Sequence, residues 1–433
     1  MSAAPTTRVR AAPSRLIGTR LTTLGTSLTG TRTGPPGTSH NAQHTTQRLA
    51  DLASVNQLAE AVVDLTAITD NAAALREHAG PAALMAVVKS DGYGHGMVPA
   101  AQAAVAGGAE WLGVTTVAEA LALRSAGLTA RVLCLLDDPQ AAHVPAIAAG
   151  VDLGVSTAAS VRAIAAAARQ AGQPARVHLK ADTGMSRGGA TAADWPDLVD
   201  AALAAQAAGQ IRITAIWSHL ACADIPGHPS IAAQIAAFDD AVAWASRAGA
   251  RPDLLHLANT SATLTVPQAR YDLVRPGGGL YGLCCLPGGA PGWLRPAMTA
   301  RTRLVQVKRV PAGSGVSYGH RYVTPAPTTL GLVPVGYADG LPRSATNTAQ
   351  VLAGGRRHTI AGTVCMNQFV LDLGDAPAAA GDDVVLFGPG SGGEPTAQNW
   401  ADALGTIAYE IVIGFGSRWA RSYRGVTYGA GVP

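Results

Sequence analysis

From about residue 83 onward, short apolar runs alternate with longer Ala-rich stretches. The runs are ALMAVVKS (83–90), WLGVTT (111–116), RVLCLL (131–136), VDLGVS (151–156), RVHLKAD (176–182), IRITAIWSHL (211–220), LLHLAN (254–259) and YDLVRP (271–276). Their length and apolar character read as buried strands. Between them lie VPAAQAAVAGGA, VAEALALRSAG, AASVRAIAAAARQAG and SIAAQIAAFDDAVAWASRAG, which read as helices. Strand and helix in alternation predict parallel pairing with right-handed crossovers. Eight such units predict an α/β fold, the (β/α)8 TIM barrel.

After about residue 295 the pattern changes. Alternating strand signals take over in TRLVQVKRV, TTLGLVPVGY, HTIAGTVCMNQFVLDLG and DDVVLFGPG, separated by turn clusters. They predict a mostly β C-terminal domain over residues 293–433. The barrel then occupies 55–292, and residues 1–54 form a disordered N-terminal extension. This extension is rich in Ser, Thr, Gly, Pro and Arg, with too few large apolar residues to repay ordering. A wrongly chosen start codon leaves the same signature, and a transit peptide is also rich in Arg and poor in acid.

A barrel places its chemistry at the C-terminal ends of its strands. Here those ends carry Lys89, Lys180 with Asp182, His219, Asn259 and Arg275. Polar groups closing apolar strands are costly to bury without partners, so five such ends predict one shared site. The loops after strands seven and eight, where barrels bind phosphate, read Asn259-Thr260-Ser261 and Arg275-Pro276-Gly277-Gly278-Gly279. Hydroxyls and approachable glycine N–H groups suit a phosphate.

Composition sharpens one of these positions. The 433 residues hold 32 Lys plus Arg, but only three are lysines: Lys89, Lys180 and Lys308. Arginine keeps its proton in proteins, whereas lysine can lose it and act as nucleophile or base. Lys89 is either such a group or a snorkelling charge at a strand end. Net charge excludes other functions. Residues 1–50 contain six arginines and no acid, so the formal +4 of the whole chain leaves the remainder at −2. That balance speaks against nucleic acid as the main partner. No apolar run reaches the roughly 18 residues of a membrane span. The five cysteines (134, 222, 284, 285 and 365) have no metal-ligand spacing, so no metal is expected, and they fit a reducing cytoplasm.

A reactive lysine, a phosphate site and a barrel together point to pyridoxal 5′-phosphate. From about residue 58 onward the chain resembles the bacterial alanine racemase family. AVVKSDGYGHG (86–96) is similar to that family's cofactor-lysine signature. HLKADTGMSRGG (178–189), SHLACAD (218–224), HLANTSA (256–262), VRPGGGLYG (274–282), SYG (317–319), VGYADGLPR (335–343), TVCMNQ (363–368) and YEI (409–411) follow in order. The resemblance implies a cytoplasmic homodimer that interconverts L-alanine and D-alanine and supplies D-alanine for peptidoglycan. A racemase of another small amino acid, such as serine, is the alternative.

The resemblance also assigns roles. Lys89 would hold the cofactor as a Schiff base and act as one of two bases. Tyr318, supplied by the second subunit, would be the other, on the opposite face of the substrate α-carbon. A tyrosine base working near neutral pH needs its pKa, ordinarily near 10, lowered by roughly two to three units, and His219 and Arg275 are the candidates to lower it. Arg275 would donate to the pyridine nitrogen, and His219 would face the ring. Tyr93, Thr260, Tyr409, Gly277 and Gly278 would hold the phosphate, with Asn259 supporting that loop. Arg187, steadied by a carbamylated Lys180, would contact the cofactor's phenolic oxygen. Met366, also from the second subunit, would bind the substrate carboxylate, and Tyr337 would narrow the entry. Asn367, Gly278 and the RGG at 187–189 depart from the usual family pattern.

Overall fold

The computed structural model describes residues 56–416 and 418–425; the predicted N-terminal extension lies outside them. The eight apolar runs form one parallel sheet: β2 Ala83–Val87, β3 Trp111–Val114, β4 Arg131–Cys134, β5 Val151–Val155, β6 Ala175–Lys180, β7 Ile211–Trp217, β8 Leu254–His256 and β9 Leu273–Val274. Their order is β8-β7-β6-β5-β4-β3-β2-β9. The seam between β8 and β9 is closed by Asp272 N–H donating to Leu255 C=O (3.1 Å) and Arg275 N–H donating to Ala258 C=O (2.9 Å). The sheet is therefore a barrel.

The helices around these strands start and stop where local chemistry dictates. α1 Leu65–Ala79 is capped by Asp64, and α2 is Met97–Ala106. α3 Val117–Ser125 opens with a Thr116–Glu119 capping box, which satisfies two orphan N–H groups at once. α4 is His143–Ala148. α5 Ala158–Ala171 runs from a Thr157 cap to the left-handed Gly172. α6 Trp195–Ala207, α7 Pro229–Ala248 and the short α8 Thr260–Thr265 complete the set. β2 and β3 are apolar along their length because helices cover one face and the barrel interior the other. Inside, Met85, Trp111, Leu133 and Leu273 form a cluster separate from the large core outside the barrel.

The chain enters through the second domain. β1 Asn56–Asp64 precedes the barrel in sequence, yet it lies between β10 Met298–Arg303 and β19 Trp419–Arg424 in a six-stranded sheet. The barrel is thus inserted between β1 and the rest of its sheet. Three-stranded and two-stranded sheets complete the β domain. That domain also contains two helices absent from the sequence prediction, α9 Ala397–Leu404 and α10 Ala408–Gly416. Phe387, Trp400, Phe415 and Trp419 pack edge-to-face beneath them.

α10 matters for the site because it meets the turn after β2 backbone to backbone. A Cβ on Gly416 would lie 2.2 Å from the Gly94 carbonyl oxygen. Only glycine permits this approach, and it fixes Tyr409, near the start of α10, beside the Lys89 turn.

Candidate active site

The turn after β2 runs against ordinary backbone preference. Ser90 (φ 54°, ψ 50°), Asp91 (φ 53°, ψ 47°), Gly92 (φ 62°, ψ 42°) and Tyr93 (φ 54°) are all left-handed. The three that are not glycine cost roughly 1–2 kcal/mol each. Surrounding groups hold the turn in place. Glu119 Oε1 accepts the Ser90 N–H (2.8 Å), Asp91 Oδ1 accepts the Met97 N–H (2.8 Å), and Arg421 pairs with Asp91. The strained turn delivers both Lys89 and Tyr93 into one cavity of about 440 Å³ at the C-terminal mouth of the barrel. Strain of this kind concentrates at functional sites.

Lys180, His219, Asn259 and Arg275 line the same cavity, as the strand-end pattern predicts. Tyr93, Thr260, Gly277, Gly278, Tyr409 and Arg187 line it too. Asp182 does not; its Oδ1 instead accepts N–H groups of residues 184, 185 and 186 and shapes the loop that carries Arg187. A larger hollow of about 730 Å³ adjoins the first and shares Asp224 and Cys285 with it. It contains none of the residues selected from sequence and no lysine, so its size does not make it the site.

One end of the cavity is a cradle for an anion. Thr260 Oγ1 accepts the N–H groups of Gly277 (3.0 Å) and Gly279 (3.2 Å), and Asn259 Oδ1 caps the following turn through the Ala262 N–H (3.0 Å). A Cβ on Gly277 would sit 2.2 Å from the Tyr93 hydroxyl, and one on Gly278 would sit 2.2 Å from the Tyr409 ring. The two phenols meet edge-to-face at 5.7 Å. Burial pushes Tyr93 up to about 12 and Tyr409 further in the same direction. Both phenols therefore keep their protons near neutral pH and can donate to an anion.

The other end is cationic. Arg275 is buried, and its Nη2 donates to the carbonyls of Ser218 (2.9 Å) and Leu257 (3.2 Å) and to His219 Nδ1 (3.1 Å). Its Nη1 donates to His256 Nδ1 (3.1 Å). Arginine only donates, so His219 carries its proton on Nε2. Burial first, then Arg275 and Arg187, drive His219 well below the usual histidine range. His219 is thus neutral, and of the two groups the sequence offered as a cationic neighbourhood, Arg275 supplies the charge. Burial and then Arg187 also lower Lys89, and burial, Arg187 and Arg275 bring Lys180 down to about 8. A lysine so placed releases its proton readily and becomes a nucleophile or base.

Tyr318, Met366 and Tyr337 stand elsewhere. They lie on the β domain, 74%, 56% and 43% exposed, and do not line the cavity of their own chain. Their three loops form one surface. Thr363 Oγ1 donates to the Tyr318 carbonyl (2.7 Å), Ser317 Oγ donates to the Thr363 carbonyl (2.6 Å), and the N–H groups of Tyr337 and Ala338 donate to the carbonyls of Cys365 and Met366.

Sequence reasoning missed several participants. Trp217 lies under both Lys180 Nζ (4.6 Å) and the Arg275 guanidinium (5.1 Å), but a tryptophan in an apolar run gives no separate signal. Glu119 had one, since Thr116-x-x-Glu119 is a readable capping box. Asp152, His178 and His256 also had one, as polar residues inside apolar strands.

A strained lysine, an anion cradle and a buried arginine thus meet in one cavity at the mouth of a parallel barrel, in a chain whose second domain is mostly β. The alanine racemase N-terminal domain profile matches residues 63–285 and the C-terminal domain profile residues 297–423. The alanine racemase of Frankia casuarinae is 57% identical over 382 residues, covering 88% of this chain and all of its own. The crystal structure of the alanine racemase of Streptomyces lavendulae superposes with a TM-score of 0.84 at 51% identity, covering 86% of this chain and 98% of that one. The Bacillus anthracis alanine racemase with bound L-Ala-P gives 0.77 at 30% identity, covering 86% and 96%. The chain belongs to the alanine racemase family.

Proposed function

We propose that this enzyme interconverts L-alanine and D-alanine with pyridoxal 5′-phosphate, using Lys89 and Tyr318 as bases on opposite faces of the substrate α-carbon. The observation that carries this reading is the convergence of a strained lysine, an anion cradle and a buried arginine on one cavity. The cavity fits the cofactor because the glycine cradle beneath Tyr93 and Tyr409 admits no side chain and offers neutral donors. Tyr93, Thr260, Gly277, Gly278 and Tyr409 would hold the phosphate, with Asn259 bracing the loop. Arg275 and His219 would contact the ring, and Lys89 would form the covalent link. When bound, the cofactor acts as an electron sink that acidifies the substrate α-proton.

The protein residues supply the rest. An arginine at the ring nitrogen gives no proton to it, so Arg275 limits how far charge spreads and favours proton return to the α-carbon. Arg187 and Lys180 sit where they can neutralise an oxygen anion at the cavity wall. Racemisation needs a second base facing Lys89. The exposed patch of Tyr318, Met366 and Tyr337 supports a homodimer in which each subunit completes the other's cavity. Arg275, acting through the neutral Nε2–H of His219, then stabilises the Tyr318 phenolate. Tyr337 restricts substrate size, and the Met366 N–H binds the carboxylate. The described cysteines are all unpaired, which suits the cytoplasm, and no described helix is long and apolar enough to cross a membrane. D-Alanine made there would serve peptidoglycan.

Purified protein in D₂O with L-alanine tests this. The visible absorbance of lysine-bound cofactor, deuterium at the α-carbon and D-alanine are expected together. Turnover of L-serine in preference to alanine would move the substrate assignment, and absence of the absorbance after adding the cofactor would overturn the reading.

A further inference from the structure

A carboxylate lies inside the barrel, deep below the cavity. Asp152 is the second residue of β5, in the otherwise apolar run VDLGV, and is fully buried. Barrel interiors are normally filled by branched apolar side chains, and a buried charge is costly unless it is bonded. Asp152 Oδ2 accepts from Arg131 Nη2 (2.6 Å) and Oδ1 from Arg176 Nε (2.6 Å). Both arginine side chains remain more than a third exposed, so they could face water without the carboxylate. The third partner is His178, whose Nε2 lies 3.1 Å from Oδ2.

From His178 the contacts continue upward. His178 Nδ1 lies 2.9 Å from His256 Nε2, and His256 Nδ1 lies 3.1 Å from Arg275 Nη1. Both imidazoles are fully buried. Trp111 packs edge-on against His178 (5.5 Å) and Trp217 stacks on His256 (5.5 Å). β6 shows the same vertical arrangement. Arg176, His178 and Lys180 alternate onto one face of the strand, which leads from the Asp152 pair up to the cavity.

The two ends of this chain force one direction on it. Arginine can only donate, and an ionised carboxylate can only accept. Asp152 therefore takes the Nε2–H of His178. That leaves His178 Nδ1 as acceptor for the Nε2–H of His256, and His256 Nδ1 as acceptor for Arg275. Every proton position agrees when read from either end. If His178 changed tautomer, His256 would follow, and an Nδ1–H would then oppose the Arg275 Nη1–H.

We infer that Asp152 fixes the tautomers of His178 and His256 and through them the orientation of Arg275, making these three positioning residues for the site above them. The inference rests on the reading of Arg275 as the ring contact of the cofactor. It adds a cause for that contact's geometry, located at the opposite end of the barrel.

The test uses the full chain with ¹⁵N-labelled histidine, first without cofactor and then loaded. In the wild type, His178 and His256 should each show a neutral Nε2–H tautomer. Asp152→Asn should shift the His256 ring nitrogens, although residues 152 and 256 do not touch. It should also lower kcat about three- to thirtyfold with a smaller effect on KM, and displace the pH profile of cofactor absorbance. Asp152→Asn combined with His178→Gln should lose no more than the worse single variant. A fall in melting temperature with unmoved His256 signals and unchanged kcat would reduce Asp152 to a stability element and overturn the inference. If Asp152→Asn does not fold, Arg131→Gln carries the same readouts from the more exposed partner of Asp152; a smaller shift in the same direction supports the inference, and none overturns it. Correct tautomers in the cofactor-free protein without absorbance after loading would sink the cofactor reading and leave the relay standing.

Discussion

The reactivity proposed for Lys89 rests on its surroundings. Burial and the nearby Arg187 lower its pKa, and a turn of left-handed residues aims it into the cavity. Lys89→Arg keeps a charge there but removes a group able to lose its proton; it should lack the cofactor absorbance and show no racemisation, in a spectrum and a coupled assay. Tyr318→Phe should retain the absorbance, because it leaves every residue proposed to hold the cofactor in place. It should lose about 10²- to 10⁴-fold in α-proton removal from L-alanine, the usual worth of a positioned base. Unimpaired L-alanine turnover would exclude Tyr318 as that base. The residues at strand ends were legible because a polar residue closing an apolar strand is anomalous. The Trp217 platform was not, because its apolar neighbours hide it. The neutrality of His219 was not legible either, because it depends on burial and on an arginine 56 positions away in sequence.

At the scale of elements, the barrel strands were readable because both their faces are covered, so periodicity disappears into apolar runs. α9 and α10 were missed for the opposite reason. They are short and lie within turn-rich sequence, and their stability comes from the Phe387, Trp400, Phe415 and Trp419 cluster. The membership of β1 in the second domain depends on pairings with β10 and β19 from the distant end of the chain. Local pattern carries no trace of such pairings. The glycine contact between α10 and the Lys89 turn gives an element-scale prediction. Gly416→Ala places a Cβ 2.2 Å from the Gly94 carbonyl oxygen and should destabilise the fold by about 1–3 kcal/mol, the usual cost of overpacking. Because α10 carries Tyr409, cofactor affinity should weaken as well. Denaturant titration and cofactor titration check the two effects separately, and a variant as stable and as tightly loaded as the wild type would refute the contact's importance.

For the whole molecule, three buried histidines, His95, His178 and His256, and the half-buried His219 set the acid limit. Burial, the largest cause each time, holds His95 at about 4, lowers His178, and takes His219 and His256 well below the ordinary value of 6.5. In the unfolded chain these groups take protons as pH falls through 6.5, while in the folded chain they do not. Their contribution to stability is therefore complete above about 6.5 and is lost progressively toward pH 4, at up to about 1.36 kcal/mol per unit for each group. The melting temperature should fall steadily over that window, and a flat curve from pH 7 to 5 would contradict their burial. The whole-molecule claim that matters most is that each site is built from two chains. Co-expressing Lys89→Ala and Tyr318→Phe chains tests it most directly. If Lys89 of one chain works with Tyr318 of its partner, two inactive proteins should yield mixed dimers with one intact site each, about a quarter of wild-type activity for random pairing. If both bases belong to one chain, no intact site can form, and a mixture as inactive as its parents would contradict the account.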